Sequence, residues 1–153
     1  MALDDIARRG LVLLGCGKMG GAMLEGWLAR GLPSGSVWVL DPAPPEGLGP
    51  RGVHLNEDPP ARPAVALVAV KPQMMDTALP RLAGITGPDT LVISVAAGTP
   101  LSRFETAFGA ETPVIRAMPN TPAAVGAGIS AIIGNAAARE AHLALAEELL
   151  SAV

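Results

Sequence analysis

The sequence predicts an α/β protein whose core is a doubly wound, mostly parallel sheet. Three observations carry that expectation. Short apolar runs of strand length, such as residues 11–14 and 64–70, alternate with longer segments of helical periodicity. The runs are apolar at consecutive positions, as strands covered on both faces are. Residues poorly suited to packing recur directly after the runs: a glycine loop, Asp41, Lys71 with Pro72, Ala97 with Gly98, and a proline-flanked Asn120. In doubly wound sheets that edge, outside the carboxyl ends of the strands, is where ligands bind.

The first strand, residues 11–14, runs into Gly15, Gly17 and Gly20, the G-x-G-x-x-G spacing. A helix opens at once, with Met19, Met23 and Trp27 four apart on one face. This strand-turn-helix context is that of a Rossmann-type dinucleotide site. Gly15 permits the tight turn, Gly17 lets a pyrophosphate approach the backbone, and Gly20 allows close packing of helix on strand. The free N–H groups at the helix start, at the positive end of its dipole, face the phosphates. A P-loop is excluded, because the positions that would need Gly and Ser or Thr hold Val12 and Met19. Cys16 reads as a small side chain filling the turn, not as a nucleophile.

The other elements follow in order. Residues 1–9 form a polar lead-in. Gly26 costs its helix about 1 kcal/mol relative to Ala, which predicts close approach by another element. Gly31 and Pro33 end the helix. Residues 36–40 form the second strand, closing on Asp41, 26 residues after Gly15. An acid there accepts hydrogen bonds from the adenosine ribose and repels a 2′-phosphate, which favours NADH over NADPH. Arg51 is near enough in sequence to reach a phosphate, and Asp41 followed by Pro42 also reads as a turn. Residues 42–63 hold seven prolines and three glycines. A regular crossover helix does not fit there, although a short strand at 53–55 does.

Residues 64–70 form the next buried strand, with Lys71 and Pro72 opening a helix that buries Met75, Leu79 and Leu82 and kinks at Pro80. Residues 90–95 form a strand ending at Ala96, Ala97 and Gly98. Thr99 is the expected N-cap, with Pro100 at N1 of a short helix lined by Leu101, Phe104 and Phe108. Residues 113–117 form a strand, residues 128–133 another, and residues 136–150 a helix.

Composition sets the class. The 153 residues suffice for one domain, spanning 1–153, and with 50% hydrophobic and 16% charged residues disorder is not expected. Two Trp, two Phe, no Tyr and a net charge of −3 without a basic run argue against nucleic acid and anionic membrane as partners. A single cysteine precludes an intramolecular disulfide. The first ten residues have no apolar signal-peptide core and no apolar run reaches transmembrane length, so a cytoplasmic protein is expected. No Cys, His or carboxylate cluster has metal-ligand spacing, so no metal site is expected. His54 and His142 are expected at the surface, outside any chemistry.

Four segments together resemble the N-terminal part of pyrroline-5-carboxylate reductase. They are Gly15-Cys16-Gly17-Lys18-Met19-Gly20, Ala69-Val70-Lys71-Pro72, Ser94-Val95-Ala96-Ala97-Gly98 and Arg116-Ala117-Met118-Pro119-Asn120-Thr121-Pro122-Ala123. The resemblance covers nearly the whole chain. It implies reduction of 1-pyrroline-5-carboxylate to L-proline, the last step of proline synthesis, with NADH or NADPH as hydride donor. It implies cofactor contacts from the glycine loop, from Asn56 and from Ala69 to Pro72, with Ala97, Met118 and Asn120 near the nicotinamide and the substrate. Members of that family are homo-oligomers with a further helical C-terminal domain that forms the dimer and supplies much of the substrate pocket. Nothing in this chain corresponds to that domain, so the catalytic proton donor is expected outside it. Two other readings stay open: a dehydrogenase of the β-hydroxyacid type, and a non-catalytic dinucleotide-binding domain.

Overall fold

A computed structural model of the chain describes residues 2–119 and 129–152. Seven strands form one sheet: β1 (Leu11–Leu14), β2 (Val37–Leu40), β3 (His54–Leu55), β4 (Val65–Val68), β5 (Leu91–Ser94), β6 (Val114–Pro119) and β7 (Ile129–Gly134). Their order is β3-β2-β1-β4-β5-β6-β7. β1 to β6 are parallel, and β7 returns antiparallel on β6, with a register irregularity at Met118 and Pro119. The chain moves outward from β1 to β3, then returns to β4 on the other side of β1. That reversal leaves a crevice at the carboxyl ends of β1 and β4.

Side-chain alternation along each strand divides the core into two layers. On one face Leu11, Leu13, Val39 and Leu67 meet Met23, Leu24 and Trp27 of α2 (Lys18–Ala29) and Leu149 and Leu150 of α6 (Glu140–Leu150). On the other, Val12, Leu14, Ala66 and Val68 meet Leu79, Leu82 and Phe104. Those come from the region of α3 (Met75–Ala78) and α4 (Pro80–Ala83) and from α5 (Leu101–Phe108). Both faces are covered, which is why β1, β2 and β4 are apolar at every position.

Gly26 has the expected reason. A Cβ there would lie 2.7 Å from the Cβ of Ala152 and 3.0 Å from its carbonyl oxygen. The same contact surface carries a hydrogen bond of 2.9 Å from the Trp27 indole N–H to the Leu149 carbonyl. Gly31, at φ +98°, ends α2, and the Leu32 N–H returns to the Trp27 carbonyl at 3.1 Å. The proline-rich stretch holds a 3-10 turn, Gly49–Arg51, and the short strand β3, with no crossover helix.

Several expectations are corrected. The lead-in is a helix, α1 (Ala2–Arg9), with Ile6 fully buried. Its Arg9 guanidinium donates to the Arg62 carbonyl at 3.1 Å and the Asp89 carbonyl at 2.6 Å, capping loops before β4 and β5. One buried residue per two turns is too faint a stripe to read as helical. Pro100, not Thr99, is the N-cap of α5, and no side chain caps it. α6 begins at Glu140 because Asn135 holds residues 135–138 in a turn first.

Neither histidine is simply exposed. His54 stacks on Trp38, ring centroids 4.3 Å apart, and its Nε2 lies 3.0 Å from the Gly35 carbonyl. His142 Nδ1 accepts the Arg139 N–H at 2.9 Å. Burial first, and then the charge of Arg139, holds the His142 pKa below the usual imidazole value. The neutral ring is the form that can accept that hydrogen bond.

The Asn135 side chain binds four residues. Its Oδ1 accepts the Val114 N–H at 3.0 Å and the Ala138 N–H at 3.1 Å, while its Nδ2 donates to the Thr112 carbonyl at 3.0 Å and to Glu105 at 3.2 Å. Asn135→Ala strands buried donors and acceptors, each costing about 1–3 kcal/mol. Urea denaturation of that variant should show a loss of about 2–4 kcal/mol. A loss within about 0.5 kcal/mol would mean that the network is dispensable.

Candidate functional site

The site is built on the turn between β1 and α2. Gly15 has φ +91°, and a Cβ there would lie 2.9 Å from both the Ala69 carbonyl oxygen and a methyl of Val70. Conformation and space both require glycine at that position. The Gly15 N–H donates to the Leu40 carbonyl at 2.9 Å, and the Ala69 N–H donates to the Leu14 carbonyl at 2.8 Å. The ends of β2, β1 and β4 are thereby locked together around the turn. At Gly20 a Cβ would lie 2.6 Å from the Gly15 carbonyl oxygen, so the first turn of α2 sits directly on the loop.

Gly17 differs from both. A Cβ there meets nothing within 4 Å. Its glycine is not needed for internal packing, and it leaves bare backbone at the N-terminus of a 12-residue helix. An approaching pyrophosphate needs that exposed backbone.

Asp41, at the end of β2, faces the loop. Its Oδ2 accepts the Cys16 N–H at 2.6 Å and its Oδ1 accepts the Ala43 N–H at 2.8 Å. Asn56 braces the same residue, its Oδ1 accepting the Asp41 N–H at 2.9 Å and its Nδ2 donating to the Asp41 carbonyl at 2.8 Å. Asn56 takes φ +52°, a left-handed conformation that Asn tolerates better than most residues. The turn expected at Asp41 and Pro42 is therefore present, and the Asp41 carboxylate is also a clamp on the glycine loop.

A cleft of about 400 Å³ opens beside this turn. Its walls include Gly15, Gly17, Asp41, Ala69, Val70 and Lys71 from the strand ends. The opposite wall comes from the segment after β4: Met74, Thr77, Ala78 and Arg81. Sequence reasoning missed that second wall, although its spacing is helical. Met75, Leu79 and Leu82 are the buried stripe of the segment, and 74, 77, 78 and 81 are the adjoining stripe.

The remaining expected site residues stand around the cleft. Cys16 is buried under the loop, Met19 packs on the core, and Gly20 supports the turn. Lys18 opens α2 at the surface, and Pro72 opens the 3-10 turn Pro72–Met74. Ala97 is exposed after β5, and Met118 lies in β6, so both are on the same sheet edge but not in the cleft wall. Asn120 and residues 121–128 lie outside the described residues. Arg51 does not line the cleft, and its Nη1 pairs with the Glu25 carboxylate of α2 at 2.7 Å. Among the described residues no group of His, Cys, Asp or Glu could hold a metal ion, and no helix is long and apolar enough to cross a membrane.

Comparison with known proteins agrees with this geometry. A family model described as NADP oxidoreductase coenzyme F420-dependent matches residues 10–98, from the residue before β1 to Gly98 after β5. The pyrroline-5-carboxylate reductase of Pseudomonas aeruginosa is 34% identical over 149 residues, covering 94% of this chain and 55% of that protein. The pyrroline-5-carboxylate reductase of Escherichia coli is 37% identical over 131 residues, covering 80% of this chain and 48% of that protein. A solved pyrroline-5-carboxylate reductase from Coxiella burnetii superposes with a TM-score of 0.81 at 28% identity, over 95% of this chain and 56% of that one. The chain thus spans about half the length of the curated relatives it matches.

Cys16 gives this geometry a chemical signature. Burial above all, then the charges of Asp41 and Glu25, pushes its thiol pKa up to about 11. A raised pKa means that the thiolate, the reactive form, is scarce at neutral pH and grows only as pH approaches that value. Alkylation by iodoacetamide at pH 8 should be at least about a hundredfold slower in the native chain than in urea. Equal rates in the two states would contradict the buried placement of Cys16.

Proposed function

The chain belongs to the oxidoreductase family whose model it matches, and from that premise we propose that it is the cofactor-binding domain, residues 1–153, of a pyrroline-5-carboxylate reductase. The observation that carries the reading is the pairing of an open Gly17 with a closely packed Gly15 and Gly20 beside the cleft. Two glycines fold the turn and the third leaves it accessible, which is the division of labour a pyrophosphate site needs.

In this reading the pyrophosphate of NADH or NADPH lies over Gly17, Lys18 and Met19 at the start of α2. The favourable helix dipole and free N–H groups of Lys18 and Met19 stabilise its charge. The adenosine half fills the cleft between Val70 and Met74, with Asp41, braced by Asn56, beside the ribose. Ala97 and Met118, on the same sheet edge, would border the nicotinamide half. When bound, it supplies a hydride to the imine carbon of 1-pyrroline-5-carboxylate. The protein's part is to hold the two reactants in register and keep water out. The chain acts in the cytoplasm, where its one thiol stays reduced. Asp41 argues for NADH by charge, but both of its oxygens already accept backbone N–H groups, which weakens the repulsion of a 2′-phosphate.

A second reading, a domain that binds the dinucleotide without turnover, rests on the same loop and cleft, which hold a dinucleotide whether or not hydride transfer follows. A paired experiment separates the two. Wild type should bind NADH saturably by fluorescence titration, and Gly17→Val should bind at least about tenfold more weakly while unfolding at the same urea midpoint. Consumption of NADH or NADPH on adding 1-pyrroline-5-carboxylate supports the reductase. Cofactor binding without consumption by the complete protein supports the second reading. Unchanged affinity in a folded Gly17→Val variant would remove the observation on which both rest.

A further inference from the structure

The cleft wall carries three charged side chains: Asp41, Lys71 and Arg81. Their commitments differ. The Asp41 carboxylate accepts the Cys16 and Ala43 N–H groups, one on each oxygen. Lys71 and Arg81 make no side-chain hydrogen bond or ion pair among the described residues. Most arginines among the described residues are held by a partner; Arg116 and Arg139, which do not line the cleft, are the other exceptions. Arg9 is held by the Arg62 and Asp89 carbonyls, Arg30 by Ser151, Arg51 by Glu25, Arg62 by Thr86 and Arg103 by Asp76.

The cleft therefore holds one anion already satisfied by two donors and two cations with none of their hydrogen-bonding capacity used. Its other walls, including Val70, Met74 and Ala78, are apolar. Arg81 stands four residues after Thr77, which also lines the cleft, so the two share one helical face. Pro80, the first residue of α4, restrains the backbone immediately before Arg81. Nothing in the packing calls for an arginine at that exposed position.

We infer that Arg81, together with Lys71, receives a phosphate on the 2′ position of the adenosine ribose, and that Arg81 sets the cofactor preference of the cleft toward NADPH. The inference rests on the dinucleotide reading above. Arg81 supplies a planar fork that can grip a phosphate bidentately, while Lys71 adds a point charge. Arg51, the cation that sequence proximity suggests for this role, is turned toward α2 and lies outside the cleft wall.

NADPH and NADH differ only in that phosphate, so their affinity ratio reads the interaction directly. Fluorescence titration of the full chain should show NADPH binding about tenfold or more tightly than NADH, with the ratio shrinking as salt rises. Arg81→Gln should bring the ratio close to one while leaving NADH affinity within about twofold. Arg81→Lys should keep part of it, because a point charge replaces the fork. A preference that survives Arg81→Gln, equal weakening of both cofactors, or a wild-type ratio near one with NADH still bound each overturns this inference alone. Failure of a folded chain to bind either cofactor overturns the dinucleotide reading and this inference with it.

Discussion

The structure depends on a turn with no room for a side chain. Gly15 must leave β1 at positive φ, under the Ala69 carbonyl, while its own N–H reaches the end of β2. Three strand ends meet at that point, and only a residue without a Cβ satisfies all three. The Asp41 carboxylate then takes the next N–H, that of Cys16, in a charge-assisted hydrogen bond worth about 1.5–3 kcal/mol. What is left uncommitted on the loop is the N–H edge that begins at Gly17, which lines the cleft. A ligand there meets donors whose orientation is already fixed, so little conformational entropy remains to be lost on binding.

The same constraint organises the rest of the fold. Because Gly20 allows α2 to sit on the turn, the helix axis lies close against the sheet, and Trp27 reaches across to the Leu149 carbonyl. α6 then packs on α2 at Gly26, closing one face of the sheet. On the other face, the break at Leu79 and Pro80 divides the segment after β4 into α3 and α4. One stripe of that segment is buried under the sheet and the adjoining stripe lines the cleft. The functional edge and the packed core thus share one short piece of chain. The family match over residues 10–98 covers the glycine loop, α2, α3 and α4, and ends before α5 and α6.

Much of this was legible from residue patterns, for physical reasons. Apolar runs at consecutive positions announce strands covered on both faces, and β1, β4 and β5 are such strands. Gly26 announced a close contact because a glycine inside a helix is costly without one. The strand-end residues pointed to one edge of the sheet, and the cleft opens on that edge. The features that escaped are those set by contacts distant in sequence. α1 buries one large side chain and is otherwise polar, so its pattern is weak, and its anchoring by Arg9 depends on loops 53 and 80 residues away. The start of α6 is set by the Asn135 side chain, which binds backbone near β6. Asp41 reads from sequence as a ribose ligand or a turn former, but its bond to the Cys16 N–H appears only when β1 and β2 lie side by side. The far wall of the cleft, with Arg81, was hidden for the opposite reason: its residues are ordinary for an exposed helix face, and only the fold brings them opposite the glycine loop.

The central claim is that this edge of the sheet, and no other, receives a dinucleotide. Amide-detected NMR of the isotopically labelled chain during titration with NADPH tests it residue by residue. The account predicts concentration-dependent shifts of the Gly15, Gly17, Lys18, Asp41, Val70 and Lys71 amides. The amides of Asp89, Glu111 and Arg139, which border a separate depression at the opposite end of the strands, should stay unmoved. Shifts concentrated at that opposite end, or a spectrum of a folded chain that does not respond, would contradict it.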